Sequence, residues 1–160
     1  MFILVADHGG FAVKEQLKAW LMSEYGQVIL DCSPQKVAGD DYPLLAKQVA
    51  LEVKKAGEEV RVIAVCRSGV GMAVAMNRFR YLRATQGWSV EEVQRARQEE
   101  DVNVVSLAAD LQKLPAMKKV IQVFLGTSFK PLTRYPRRLK GLWWSAQASA
   151  LLRTSAEEGR

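Results

Sequence analysis

Three short runs constrain the fold of this chain more than anything else in it: Phe2-Ile3-Leu4-Val5-Ala6, Arg61-Val62-Ile63-Ala64-Val65 and Asn103-Val104-Val105-Ser106-Leu107. Each is short and β-branched. None shows the apolar–polar alternation of a strand with one wet face, so they read as strands covered on both sides. Gln27–Asp31 gives a further strand and Leu82–Thr85 a weaker one. Helical stripes lie between them. Val13, Leu17, Trp20 and Leu21 fall on one face before Gly26, and Met117, Val120, Ile121, Phe124 and Leu125 form a second stripe. Pro43, with Asp41 as a cap, opens a helix running to about Ala56. A helix follows the third strand to about Asn77. Ser89 and Glu92 make a capping box for another through about Glu99. After a loop at 126–133, Leu139, Leu142, Trp143 and Ala146 predict a last helix. Strands alternating with helices predict an α/β fold: a three-layer, Rossmann-like α/β/α domain with a five-stranded parallel sheet and helices on both faces.

The 160 residues fit a single domain over 1–160, without repeat or linker, and 49% apolar with 25% charged residues is ordinary for a globular protein. No apolar run is long enough to span a bilayer, and the first strand starts without the basic region of a signal peptide. Cys32 and Cys66 form no CxxC pair, which fits a reduced, cytoplasmic protein. The formal charge of +6 is concentrated at the end of the chain, where seven cations and two acids from Lys130 onward contribute +5. Charge alone reads more readily as a solvated face than as a phosphate grip. Aromatic and basic residues do not interleave as single-stranded nucleic acid requires, and Trp143 and Trp144 read as core or subunit contact. The expected partners exclude nucleic acid and membrane.

In parallel sheets of this kind ligands bind beyond the carboxyl ends of the strands, where the strand order switches. Two motifs fall at such ends: Asp7-His8-Gly9-Gly10 and Cys66-Arg67-Ser68-Gly69-Val70-Gly71. The second joins a buried strand to a helix start, leaving backbone N–H groups free for an anion and favouring a thiolate at Cys66. A bland reading makes Cys66 a small buried hydrophobe. A phosphatase-type Cys-x5-Arg loop needs arginine where Met72 stands, and a dinucleotide fingerprint lacks its third glycine. His8, the only histidine, belongs to no His-rich metal cluster but can donate to an anionic or hydroxylated ligand. Tyr42 reads equally as packing or as a site hydroxyl. Arg134 and Arg138, at i and i+4, can converge on one phosphate.

Taken in order over about residues 1–140, these residues resemble the ribose-5-phosphate isomerase B and galactose-6-phosphate isomerase family. Asp7-His8-Gly9-Gly10 matches its DHxG, Asp41-Tyr42-Pro43 its DYP, and Cys66 to Gly71 its CGTGVG or CGSGxG. Asn77 to Ala84 matches its NKFxGIRA, Arg97 to Val104 its RxHNDxNV, and Arg134 to Arg138 its RHxxR. The resemblance implies aldose–ketose interconversion of a sugar phosphate through a cis-enediolate, with no metal and no organic cofactor. It makes Cys66 the base between C1 and C2, Ser68 its helper, and the amides of Gly69, Val70 and Gly71 the holders of the enediolate oxygens. Asp7, His8 and Tyr42 then line the sugar, and Arg134 and Arg138 take the phosphate. It also implies a homodimer or homotetramer, each site completed by a neighbour and the C-terminal helix serving dimerisation.

Four positions depart from the family pattern. Arg67 replaces a glycine, Glu99 and Glu100 replace the histidine and asparagine of HND, and Asp110 stands where a phosphate-binding arginine is frequent. Glu99 is kept as a candidate proton-transfer residue, and Arg67 and Glu100 as candidate substrate contacts. Arg67 is expected either to supply the missing positive charge or to pair with Glu99 and close the pocket. Two functions follow: an isomerase with a retuned site, or a catalytically impaired relative acting as a sugar-phosphate-binding or assembly protein.

Overall fold

The computed structural model describes residues 1–26, 29–57, 59–132 and 134–142. The chain divides into two compact units, Met1–Phe129 and Lys130–Arg160. The first unit holds five strands: β1 (Phe2–Ala6), β2 (Ile29–Asp31), β3 (Arg61–Cys66), β4 (Ala84–Gln86) and β5 (Val104–Ala108). They form one parallel sheet in the order β2-β1-β3-β5-β4. Five helices cover it: α1 (Phe11–Tyr25), α2 (Tyr42–Ala56), α3 (Val70–Met76), α4 (Val90–Glu100) and α5 (Leu114–Gly126). The predicted α/β/α layering with a five-stranded parallel sheet is the one observed.

Strand alternation sorts the core into two. Ile3, Val5, Val62, Ala64, Cys66 and Val104 meet Ala46, Val49, Val53, Met72 and Met76 of α2 and α3. Leu4, Ala6, Ile63, Val65, Val105 and Leu107 meet Leu17, Leu21, Val93, Met117, Ile121 and Phe124 of α1, α4 and α5. Continuous apolar strands are thus explained by two dry faces.

β4 begins two residues later than the weak run at Leu82–Thr85 predicts. Leu82 is buried in the core from a loop, and Asn77 pairs with the start of β4 as a strand neighbour would. Its side-chain amide accepts from the Ala84 N–H at 2.8 Å and donates to the Ala84 carbonyl at 2.9 Å. Ser89 caps α4 by accepting the Glu92 N–H at 3.0 Å, but the reciprocal half of the box is absent. The Glu92 carboxylate instead accepts the Thr85 hydroxyl at 3.1 Å. Asp41 occupies the cap position of α2 without a side-chain cap bond. In the second unit, α6 spans Arg134–Gly141, following the loop expected at 126–133. Trp143, Trp144 and Ala146 lie outside the described residues.

At the amino edge of the sheet, α4 ends on Asp101, held at φ 45°, a left-handed conformation that Asp tolerates. The nearly inaccessible Arg97 donates to the Asp101 carboxylate (2.8 Å), the Val102 carbonyl (2.6 Å) and the Thr127 carbonyl (3.1 Å). Arg83 donates to the other Asp101 oxygen at 2.8 Å. This network ties the end of α4 to α5 and to the start of β5.

Candidate active site

The strand order reverses direction between β1 and β3, so their carboxyl ends bound the crevice where such sheets bind ligands. The two loops carrying the sequence motifs meet there. Ala6 pairs with Val65, so Asp7 leaves β1 beside Cys66. At Gly10 the backbones touch: a Cβ there would lie 2.3 Å from the Val65 carbonyl oxygen and 3.0 Å from the Cys66 nitrogen. Only glycine permits this approach.

Each loop is closed by its own side chains. Asp7 Oδ1 accepts the N–H groups of Gly9 (3.0 Å) and Gly10 (2.9 Å), an Asx-type turn that seats the start of α1. Cys66, 4% exposed, turns its Sγ toward the Gly69 N–H at 3.1 Å. Gly69 adopts φ 74°, which favours glycine, and its carbonyl accepts the buried Ser106 hydroxyl at 2.7 Å. Ser68 Oγ accepts the Val70 N–H at 3.3 Å. α3 then begins, its first-turn N–H groups lacking intrahelical partners. Gly71 lies against the Tyr42 ring, where a Cβ would come within 3.0 Å of Cζ. Cys66 to Gly71, Asp7, His8 and Tyr42 are therefore gathered at one crevice.

A buried charge network fixes the end of β1. Lys14, wholly inaccessible on α1, places Nζ 2.6 Å from Asp31 and 2.9 Å from the Ser33 carbonyl. Lys18 reaches the same Asp31 oxygen at 2.7 Å. Burial pushes the Asp31 carboxyl up, but the hydrogen bonds from Lys14, Lys18 and the Ser33 amide outweigh it, so it lies below its usual value. Ser33 passes this order on by accepting the Ala6 N–H through Oγ at 2.8 Å, one residue before Asp7. The second cysteine, Cys32, is buried nearby, and desolvation with the neighbouring Glu52 and Asp31 charges pushes its thiol up to about 11. It stays a protonated core residue.

Arg67 corrects an expectation. Within one chain it does not pair with Glu99; its Nε donates to Asp110 Oδ2 at 2.7 Å, with the Asp110 N–H on the Arg67 carbonyl at 3.0 Å. The hydrogen bond to Asp110 raises its already high pKa. Its stem lies over Gly9, where a Cβ would meet Cγ at 2.3 Å, so Gly9 makes room for Arg67. The physical reason for the missing Glu99 contact is topological. Cys66 lies opposite Ala108 at the carboxyl end of the sheet, whereas Glu99 and Glu100 end α4, before Val104 opens β5. They are at the opposite edge from Cys66. Arg134 and Arg138 share α6, one turn apart; Arg134 stacks on Tyr135 at 4.5 Å and donates to its hydroxyl at 2.6 Å.

Sequence reasoning misses Asp40 and Ser106 and does not see Asp110 as Arg67's partner. Asp40 sits next to the DYP motif, yet its role depends on a contact 32 residues away. For Asp110 a signal existed: two departures of opposite charge, one at each of two neighbouring strand ends.

A parallel sheet with a thiol, a hydroxyl and a glycine-rich loop at its switch-point crevice defines an α/β protein of the kind that binds a small ligand beyond its strand ends. Comparison with known proteins gives the family. The Ribose/Galactose Isomerase family model matches residues 2–142. The ribose-5-phosphate isomerase B of Escherichia coli (strain K12) is 33% identical over 124 residues, covering 78% of this chain and 82% of that protein. Among solved structures, the ribose-5-phosphate isomerase B of Mycoplasma genitalium with bound ribulose-5-phosphate aligns with a TM-score of 0.81 at 28% identity, covering 88% of this chain and 92% of that one. The Thermotoga maritima ribose 5-phosphate isomerase aligns equally well, with a TM-score of 0.81 at 27% identity, over 88% and 95%. The chain belongs to the ribose/galactose isomerase family, as a divergent member.

Proposed function

We propose that this protein interconverts the aldose and ketose forms of a sugar phosphate of the ribose 5-phosphate/ribulose 5-phosphate type. Cys66 moves the proton between C1 and C2 through an enediolate. One observation carries the reading: Cys66 Sγ lies at the switch-point crevice with the Gly69 N–H on it, beside the Ser68 hydroxyl and the first amides of α3. A thiolate there is a base, and backbone N–H donors stabilise an enediolate oxygen. Ser68 assists proton transfer, and Gly69, Val70 and Gly71 supply amides. Asp7, His8, Tyr42 and Arg67 line the sugar. Arg134 and Arg138 bind the phosphate, and the chemistry needs no metal or organic cofactor.

Because Glu99 and Glu100 lie at the far edge of the sheet from Cys66 in one chain, a site that uses them takes them from a second copy. The protein is accordingly read as a homodimer or homotetramer. Exposed Leu44 and Leu51 on α2 and Val70 and Val74 on α3 supply apolar surface for that contact. Among the described residues no helix is long and apolar enough to cross a membrane; a cytoplasmic, reducing location would keep Cys66 a thiol. The rival, a non-catalytic sugar-phosphate-binding or assembly protein, rests on the four departures at Arg67, Glu99, Glu100 and Asp110, of which Arg67 and Asp110 pair with each other.

The test is turnover across a panel of pentose and hexose phosphates, followed as aldose loss and ketose gain. Conversion of at least one member supports the reading. Binding without conversion across the whole panel contradicts it.

A further inference from the structure

One hydrogen-bond arrangement at the crevice does work that none of the roles above assigns. A single oxygen of Asp40, Oδ1, lies 2.8 Å from the backbone nitrogen of His8 and 2.8 Å from the ring Nδ1 of the same residue. Asp40 is well covered, with its side chain 15% exposed, while the His8 ring is 44% exposed. The backbone bond fixes where Asp40 sits relative to His8, so the ring bond is aimed and not incidental. A carboxylate oxygen only accepts, so Nδ1 must carry the proton facing it. In neutral His8 this leaves Nε2 with its lone pair, and Nε2 has no protein partner among the described residues. A carboxylate behind a histidine, with the far nitrogen open, is the geometry of an oriented general base.

Both residues stand where such a base is useful. His8 leaves the end of β1 in the loop whose Gly10 touches the Cys66 backbone. His8 is the chain's only histidine. Asp40 also lines a cleft of about 300 Å³ with Cys32, Ser33, Pro34, Val37 and Leu45.

We infer that His8 and Asp40 form an acid–base dyad that opens the sugar ring before Cys66 acts, with His8 catalytic and Asp40 its positioning residue. The inference rests on the isomerase reading and deepens it. An aldopentose phosphate is mostly a closed hemiacetal, whose C2 proton cannot move to C1 until the ring opens. His8 Nε2 removes the proton from the anomeric hydroxyl, whose O–H pair becomes the second bond of the C1 carbonyl. The bond from C1 to the ring oxygen breaks, its electron pair stays on that oxygen, and the imidazolium returns the proton there. No proton, electron or co-reactant is left over.

The experiment separates ring opening from proton transfer. Ribulose 5-phosphate has its 5-hydroxyl blocked and stays open-chain, so solvent-deuteron wash-in at its C1 reads Cys66 chemistry without ring opening. Conversion of ribose 5-phosphate reads both steps. For Asp40→Asn the expected result is at least about a tenfold loss in aldose conversion, with wash-in into the ketose within about twofold of wild type. Asp40→Ala should lose more, because asparagine still offers an accepting oxygen. Nitrogen NMR of the His8 ring in the unliganded protein supplies a readout independent of catalysis: an Nδ1–H form in wild type, lost in Asp40→Ala. Equal losses in conversion and wash-in, or an unchanged ring tautomer in Asp40→Ala, would overturn the dyad, leaving Asp40 a loop tether. Absence of wash-in in the wild-type protein would overturn the isomerase reading instead.

Discussion

Two ion pairs flank the Asp7–Gly10 loop, nearly identical in length and opposite in surroundings. Lys14–Asp31 spans 2.6 Å with side chains 0% and 8% exposed; Arg67–Asp110 spans 2.7 Å with side chains 71% and 45% exposed. On the β2 side the buried pair reaches the loop through Ser33 and the Ala6 N–H. On the β3 side the exposed pair reaches it through the Arg67 stem on Gly9. Distance does not separate them. Removing one partner of the buried pair leaves a charge out of water with only part of its network, Glu15 for Lys14 or Lys18 for Asp31, whereas the exposed pair can trade its partner for solvent or ligand. The loop is thus anchored rigidly on one side and left adjustable on the other.

The largest stability effect should come from the buried side. Asp31→Asn leaves the inaccessible Lys14 with only the half-exposed Glu15 carboxylate at 2.6 Å and the Ser33 carbonyl, and it should destabilise the protein by about 3 kcal/mol in denaturant unfolding. A loss similar to that of Asp110→Asn would break the contrast. Gly10→Ala comes next, because its Cβ meets backbone and not a movable side chain. A loss of about 1–3 kcal/mol is expected, with activity falling alongside as the β1 loop is forced from β3. Acid titration gives a third measure. Asp31 has a folded pKa below its usual 3.8, so its contribution is present above that value and is lost as pH falls through the folded pKa. Melting temperature should drop more steeply below about pH 4 in wild type than in Asp31→Asn. The smallest effect belongs to the exposed pair: Asp110→Asn should leave melting within about 2 °C of wild type. It should, however, change KM for a sugar phosphate by freeing Arg67. An unchanged KM would show that Arg67 does not meet the ligand.

Most of the scaffold was legible because the strands are apolar on both faces and the helices carry regular stripes. These are local signals that the tertiary structure reinforces. β4 was misplaced by two residues because Leu82 is apolar for a loop contact with the core, while Asn77 supplies pairing that no strand pattern records. The Cys66 loop was legible from its glycines: Gly69 needs its positive φ, and Gly71 leaves space for Tyr42. The partners of charged groups were not. Asp40 lies 32 residues from His8, and Asp110 lies 43 residues from Arg67. Pairings at such separations depend on strand order, which periodicity does not encode. The same topology that joins Arg67 to Asp110 sends Glu99 to the other edge.

The central claim is that the Cys66 thiol is the proton-transferring base of an aldose–ketose isomerase. It is tested most directly by incubating ribulose 5-phosphate with the protein in deuterated water and following deuterium at C1. Wild type should incorporate label, and Cys66→Ala, folded by melting temperature, should lose the rate by about 10²–10⁴-fold. Incorporation by Cys66→Ala at the wild-type rate would contradict the account.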